Sequence, residues 1–219
     1  MVSVVLIEPA YPGNIGSVCR VMANFDLKDL VIINPKCDIH ASDAIKMSKH
    51  GSNILKKAKI KDFDYLKKFD HLVGTTAKIG RDHNISRVPI IPSELKVKPK
   101  MALLIGREDK GLTNKEIRMC DFIVSIPASK KYPTLNLAQS CAILFYEIFK
   151  GKSQVDHIRY ATKNEKDQIM KVLKEKMKKM EFATEGKKET QIKVWKRLLG
   201  KSFLTKREAM ALIGFMKKI

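Results

Sequence analysis

Along this chain, short continuous apolar runs alternate with longer stretches in which apolar residues recur every three or four positions. A run of five or six apolar residues bounded by turn formers reads as a strand buried on both faces. Residues 2–7 form the first, stopped by Glu8-Pro9, and residues 30–34, 71–76, 101–105 and 122–126 supply four more. The intervening stretches have helical period. Ile15, Val18, Cys19, Met22, Ala23 and Phe25 make one stripe, with Asn14 placed as its cap and Arg20 off the stripe. Residues 42–57 read as a basic helix and 63–69 as a short amphipathic one. Residues 113–119 make a fourth helix, with Thr113 and Glu116 in capping-box spacing. Strands alternating with helices predict an α/β fold, a mostly parallel sheet with helices on both faces.

The stretch that organises the chain is Ile126 to Ser140. It leaves the last strand, crosses a loop carrying Pro127 and Pro133, and enters a helix with the stripe Leu137, Cys141, Leu144, Phe145 and Ile148. Thr134 or Asn136 is placed to cap that helix. A strand end facing a helix N-terminus is where open α/β sheets bind ligands, because backbone N–H groups converge there. Two other strands end in small residues, at Gly74-Thr75-Thr76 and at Gly106. Loops poor in side chains let a ligand approach the backbone, so a small-molecule pocket is expected. The loops match neither the dinucleotide GxGxxG nor the GxxxxGK[ST] phosphate loop.

After Gly151 the pattern changes. Residues 151–163 are polar and read as a linker. Residues 164–219 read as a small all-helical domain with helices at 164–182, 191–199 and 206–218 and a loop at 183–190. Here charge alters the picture. The chain carries 43 Lys and Arg against 23 Asp and Glu, a net +20. Residues 1–150 hold 24 basic and 15 acidic side chains, residues 151–219 hold 19 and 8, so the shorter segment is the denser positive surface. Such a segment suits a polyanion, nucleic acid first, with Lys188, Lys193, Lys196, Arg197, Lys206 and Arg207 as its contacts. The alternative is a helical appendage that docks on the first domain or on a second subunit.

Candidate chemistry is sparse by spacing alone. His40, His50, His71, His83 and His157 lie far apart, and Cys19, Cys37, Cys120 and Cys141 form no CxxC, so no metal site is expected. The cysteines read as reduced thiols of an intracellular, cytoplasmic protein. No signal peptide and no membrane span are read. No nucleophile elbow is visible.

Three segments carry a resemblance. Asn14-Ile-Gly-Ser-Val-Cys-Arg20 resembles the first motif of the SPOUT RNA methyltransferases, N-x-G-x-x-x-R. Ile105-Gly-Arg-Glu-Asp-Lys-Gly-Leu112 resembles the second, G-x-E-x-x-G-L, and Ile126-Pro127 with Thr134-Leu-Asn-Leu-Ala138 resembles the third. They occur in the family's order within residues 1–150. Gly74-Thr-Thr-Ala-Lys78 and the basic C-terminal helices are similar to the TrmJ subfamily. The resemblance implies an α/β domain over 1–150 with a trefoil knot, working as a homodimer. It implies S-adenosyl-L-methionine bound by Thr75, Thr76 and Ala77, by Gly106, Glu108, Gly111 and Leu112, and by Ile126, Pro133, Thr134, Leu135 and Asn136. It further implies tRNA as partner and ribose 2′-O-methylation at the first anticodon-loop nucleotide, with Arg20 and Asn14 catalytic and Arg20 also touching RNA. Glu108 would orient Arg20 or the loop. The third motif departs from the family in carrying Thr134 for Ser and Pro133 for a small polar residue; the second carries Asp109 where relatives often have Arg. The dimer expectation also rests on the stripe of Val18, Met22 and Phe25, which exceeds what one domain needs to bury.

Overall fold

The computed structural model describes residues 2–78, 88–150 and 159–218. His83, His157 and residues 151–158 of the expected linker lie outside them. The described residues form six parallel strands: β1 (Val2–Ile7), β2 (Asp29–Ile33), β3 (Lys59–Lys61), β4 (His71–Thr75), β5 (Met101–Ile105) and β6 (Phe122–Val124). Their order is β3-β2-β1-β5-β4-β6. The helices are α1 (Pro12–Asn24), α2 (Ser42–Ser48), α3 (Ser52–Lys56), α4 (Asn114–Met119), α5 (Leu137–Lys150), α6 (Lys163–Met177), α7 (Glu185–Lys201) and α8 (Lys206–Lys218). β1 is paired on both sides, Val4 standing between Leu30 and Leu103. The strand order reverses beside it, which places the ligand crevice at the carboxyl ends of the strands on that side.

Period-two alternation sorts the strand residues onto two faces. Val4, Leu6, Leu30, Ile32, Leu103 and Ile105 pack under α1, α2, α3 and α5. Val5, Ile7, Val31, Ile33, Ala102 and Leu104 face the other side, under residues 63–69 and α4. Each such side chain removed from water contributes roughly 1.5–3 kcal/mol.

Several expectations shift. β3 has the sequence Lys-Ile-Lys, entirely exposed, and carries no apolar run; only its register with β2 makes it a strand. α1 starts at Pro12, whose fixed φ suits a first helical residue, with Tyr11 as the capping residue. Asn14 is therefore inside the first turn and is not the cap. Residues 42–57 break at Lys49, where φ is 46°, into α2, a single 3₁₀ turn and α3. α7 begins six residues before the expected 191, because the Thr184 hydroxyl accepts the Lys187 N–H and caps it.

Helices α6–α8 enclose their own core of Ile169, Leu173, Met177, Leu199, Ala209 and Ile213. They also dock on the sheet domain. The Lys166 ammonium donates to the Asp70 carbonyl at 2.7 Å and to Asp121 at 3.3 Å. Lys196 donates to the Arg118 carbonyl at 2.7 Å. Lys98, on the loop before β5, is fully buried without a hydrogen-bond partner for its Nζ among the described residues. That Nζ lies 3.2 Å from the Tyr160 ring centroid and 3.9 Å from that of Phe203. Burial, then Lys166 and Lys96, push its amine down to about 7, while Glu208 works the other way.

Candidate active site

The loops after β4, β5 and β6 meet at one edge of the sheet and enclose a cavity of about 450 Å³, within the range of small-molecule sites. All twelve residues expected to hold the cofactor line it: Thr75, Thr76 and Ala77 from the first loop; Gly106, Glu108, Gly111 and Leu112 from the second; Ile126, Pro133, Thr134, Leu135 and Asn136 from the third. A larger cavity of about 540 Å³ lies at the seam between the sheet domain and α6–α7, away from the strand ends.

The second loop is the most constrained. Arg107 and Gly111 exchange backbone hydrogen bonds across it, at 2.9 and 3.3 Å, and Gly111 has φ of +64°, a region open chiefly to glycine. A Cβ on Gly106 would sit 2.2 Å from the Gly111 carbonyl carbon. Arg107 anchors the loop at its base. Its guanidinium donates to both Glu116 oxygens at 2.9 and 3.0 Å, and to Glu8 beyond β1 at 2.9 Å. Burial alone would raise the Glu116 carboxyl, but Arg107 and the Thr113 N–H hold it below the usual carboxylate range. Charge-assisted, bidentate pairs of this kind are both strong and directional.

Glu108 reaches the other way. Its carboxylate accepts from the Asn14 amide at 3.1 Å and from the Ala10 N–H at 3.3 Å. It thereby ties the second loop to the first-motif turn and sets Asn14 in the cavity wall. Its partners are Asn14 and the Ala10 backbone, not Arg20. On the first loop, the Thr75 hydroxyl donates to the Leu104 carbonyl at 3.0 Å, a bond within the sheet. On the third, the Asn136 side chain accepts the Ala138 N–H at 2.9 Å and caps α5. The N-terminal turn of α5 opens on the cavity through Leu137 and Ser140, and such a terminus favours anionic groups.

Arg20 is exposed on α1 and does not line this cavity. It lies six residues beyond Asn14, about 9 Å along the helix axis. Val18 and Met22 prove fully buried against the sheet, so they leave no surplus apolar surface. An exposed apolar row lies elsewhere. Ile143, Tyr146 and Phe149 are exposed at i, i+3, i+6 on α5, and the last two pack their rings 6.2 Å from Phe25.

The expected RNA contacts divide. Lys196 bonds Arg118, and Arg197 bonds the Val88 carbonyl, so both side chains serve the docking of α7. Lys188 pairs with Glu185 at 3.4 Å and Lys206 with Glu165 at 3.8 Å. Lys193 and Arg207 are exposed. Spacing gave no hint of Arg107 as the loop's anchor, because its partners lie 99 residues before it and nine after. Tyr132, 78% exposed at the cavity rim, also carried no periodic signal. The buried thiols are inert, those of Cys19 and Cys120 pushed up to about 12 by burial. Among the described residues no group of three His, Cys, Asp or Glu side chains is placed to hold a metal, and no helix is long and apolar enough to cross a membrane.

Residues 1–146 match the SpoU rRNA Methylase family. The chain belongs to this family. It is a methyltransferase, and the likeness extends beyond the matched segment. The chain is 39% identical to the tRNA (cytidine-2′-O-)-methyltransferase TrmJ of Methanocaldococcus jannaschii, over 99% of each protein. Among solved structures, a probable methylase family protein of Haemophilus influenzae Rd KW20 superposes with a TM-score of 0.68 at 27% identity, covering 99% of this chain and 94% of that one. The SpoU methyltransferase AviRb of Streptomyces viridochromogenes, solved with the cofactor AdoMet, shares the fold with a TM-score of 0.55 at 23% identity, over 68% of this chain and 59% of its own. The TrmJ relative spans the helical segment α6–α8 as well as the sheet domain.

Proposed function

We propose that this chain transfers a methyl group from S-adenosylmethionine to the ribose 2′-hydroxyl of tRNA, at the first nucleotide of the anticodon loop, as a cytoplasmic homodimer. The observation that carries the reading is the single cavity in which the loops after β4, β5 and β6 meet, with Asn14 held at its wall by Glu108. The cradle fits such a donor: side-chain-poor loop backbone for a nucleoside, apolar Leu112, Ile126 and Leu135 for its base, and the capped start of α5 for a carboxylate. When bound, the donor supplies an activated methyl on sulfur. The remaining work falls to this chain. The hydroxyl must be aligned with that methyl and give up its proton to solvent as the new bond to oxygen forms, with the charge of the neighbouring phosphate held in place. Arginine scarcely deprotonates, so Arg20 orients the ribose and its neighbouring phosphate.

Arg20 stands outside its own chain's cavity, and the α1–α5 flank exposes an apolar row of Ile143, Tyr146 and Phe149. Both are met if two chains pair through that flank and each lends Arg20 to the other's cavity. The division of labour is then 1–150 for chemistry, 151–163 as linker and 164–219 for holding tRNA. Threading of the loops at 106–112 and 126–136 as a trefoil knot belongs to the same proposal. The test is incubation of the purified protein with labelled donor and tRNA transcripts, followed by mass-spectrometric mapping. A 2′-O-methyl at the first anticodon-loop nucleotide is expected; a methyl at another tRNA position or only on ribosomal RNA replaces the target, and no transfer defeats the reading.

A further inference from the structure

α8 is apolar on two sides. One stripe, Ala209, Ile213 and Met216, is buried in the core of the helical unit. A second stripe runs along the outer face: Met210, Ala211, Gly214 and Phe215, at the i, i+1, i+4, i+5 spacing of adjoining rows. Phe215 is 62% exposed and Met210 45%, and a side chain added at Gly214 would meet open space. A helix apolar on both sides normally has both covered, and here the second side is bare. Cations bracket it: Arg207 one turn before Met210, Lys217 and Lys218 just beyond Phe215, all exposed.

We propose that this outer face of α8 is a stacking platform for unpaired nucleotides of the RNA substrate, Phe215 receiving a base and Arg207 and Lys218, on the same side of the helix, receiving neighbouring phosphates. The inference rests on the proposed tRNA reading and names the element that grips the RNA. A flat aromatic ring between cations is the arrangement by which proteins hold single-stranded nucleic acid, since every base has a π-face and every linkage a charge. Charge decides against the other occupant of such a face, a second copy of the chain. Pairing two α8 faces would set Arg207 and Lys218 of each copy beside their own kind. A polyanion meets no such repulsion. It also explains why the positive charge of this segment survives although Lys196 and Arg197 serve the docking of α7.

The platform predicts a signature that separates stacking from charge. In the full-length protein, Phe215→Ala should weaken binding of tRNA, and of an isolated anticodon stem-loop, roughly tenfold, with an unchanged slope of log affinity against log salt. Phe215→Trp should restore affinity, and its fluorescence should be quenched by a short single-stranded oligoribonucleotide but not by a blunt RNA duplex. Lys218→Ala should instead flatten the salt slope by about one. Methyl transfer by the unaltered protein reports separately on the tRNA reading. The proposal is overturned if Phe215→Ala binds tRNA as tightly as the parent, if the duplex quenches Phe215→Trp equally, or if sedimentation shows that Phe215→Ala splits a dimer, which would make the face an interface between copies.

Discussion

The strand-end cavity was read through the family resemblance of its loops and the C-terminal helices through their charge, and the two differ in how the structure uses the residues named. Every residue expected to hold the cofactor lines the cavity, though the expected catalytic Arg20 does not, whereas Lys196 and Arg197, expected to face RNA, bind backbone carbonyls of the sheet domain. In the cavity, function belongs to the path of the backbone. Gly106 and Gly111 are there because no side chain fits or because φ is positive, and such demands are written into the residue type. On α7, function depends on which face of a helix is covered. A lysine looks the same in sequence whether its ammonium meets water, a phosphate or a carbonyl oxygen.

The largest effect should come from the residue that belongs to neither region. Arg20→Ala should lower turnover roughly 10²–10³-fold or more while leaving donor affinity by calorimetry nearly intact. Arg20→Lys should fail too, for want of a planar fork. Loss of donor affinity in either variant would mean that Arg20 acts within its own cavity. Next, Gly106→Val should weaken donor binding roughly tenfold or more, since any Cβ there overlaps the Gly111 carbonyl carbon. Normal binding by this variant would break the claim that loop geometry makes the site.

Smaller effects separate the two uses of lysine on α7. Lys193→Ala should reduce the salt slope of tRNA binding by about 0.9 and leave the melting midpoint unchanged. Lys196→Ala should do the reverse, leaving the slope and costing about 1 kcal/mol of stability from the lost hydrogen bond. If the two behaved alike, the contrast between docking and RNA-facing cations would fail.

The subtlest test concerns Lys98. Its amine sits at about 7 when folded, below its ordinary 10.5, so the unfolded chain binds more protons between those values. The folded protein therefore gains stability as pH rises from about 7 toward 10.5 and loses it as pH falls back from 10.5 to about 7, with little further change below. Stacking of the protonated amine between Tyr160 and Phe203 offsets part of this, leaving a gain on the order of 1–2 kcal/mol. Urea titrations at pH 7 and 10 should show that gain shrinking in Lys98→Met; an equal gain in both proteins would remove Lys98 from the account.

Much of the fold was legible because the apolar runs are unambiguous. β3 was not, since Lys-Ile-Lys is a strand only through its register with β2. The entry to α1 was misplaced at Asn14 because Pro12 starts the helix earlier, and that shift frees the Asn14 side chain for Glu108. The stripe of Val18 and Met22 was correctly apolar but assigned to the wrong neighbour: it faces the sheet, and an exposed apolar row lies on α5 at Ile143, Tyr146 and Phe149. The Arg107 bridge from Glu8 to Glu116 joins residues that only the folded sheet brings together.

The central claim is that cavity and arginine lie apart in one chain and meet only in a pair of chains. Mixing two inactive proteins tests it most directly. Arg20→Ala keeps the cavity and Gly106→Val keeps the arginine, so a hybrid dimer holds one intact composite site beside one doubly altered site. Unfolding and refolding the two together should recover about a quarter of the parent's methyl transfer to tRNA, as random pairing of a two-fold dimer requires. Activity that stays at the level of the separate variants, with hybrids shown to form, would contradict it.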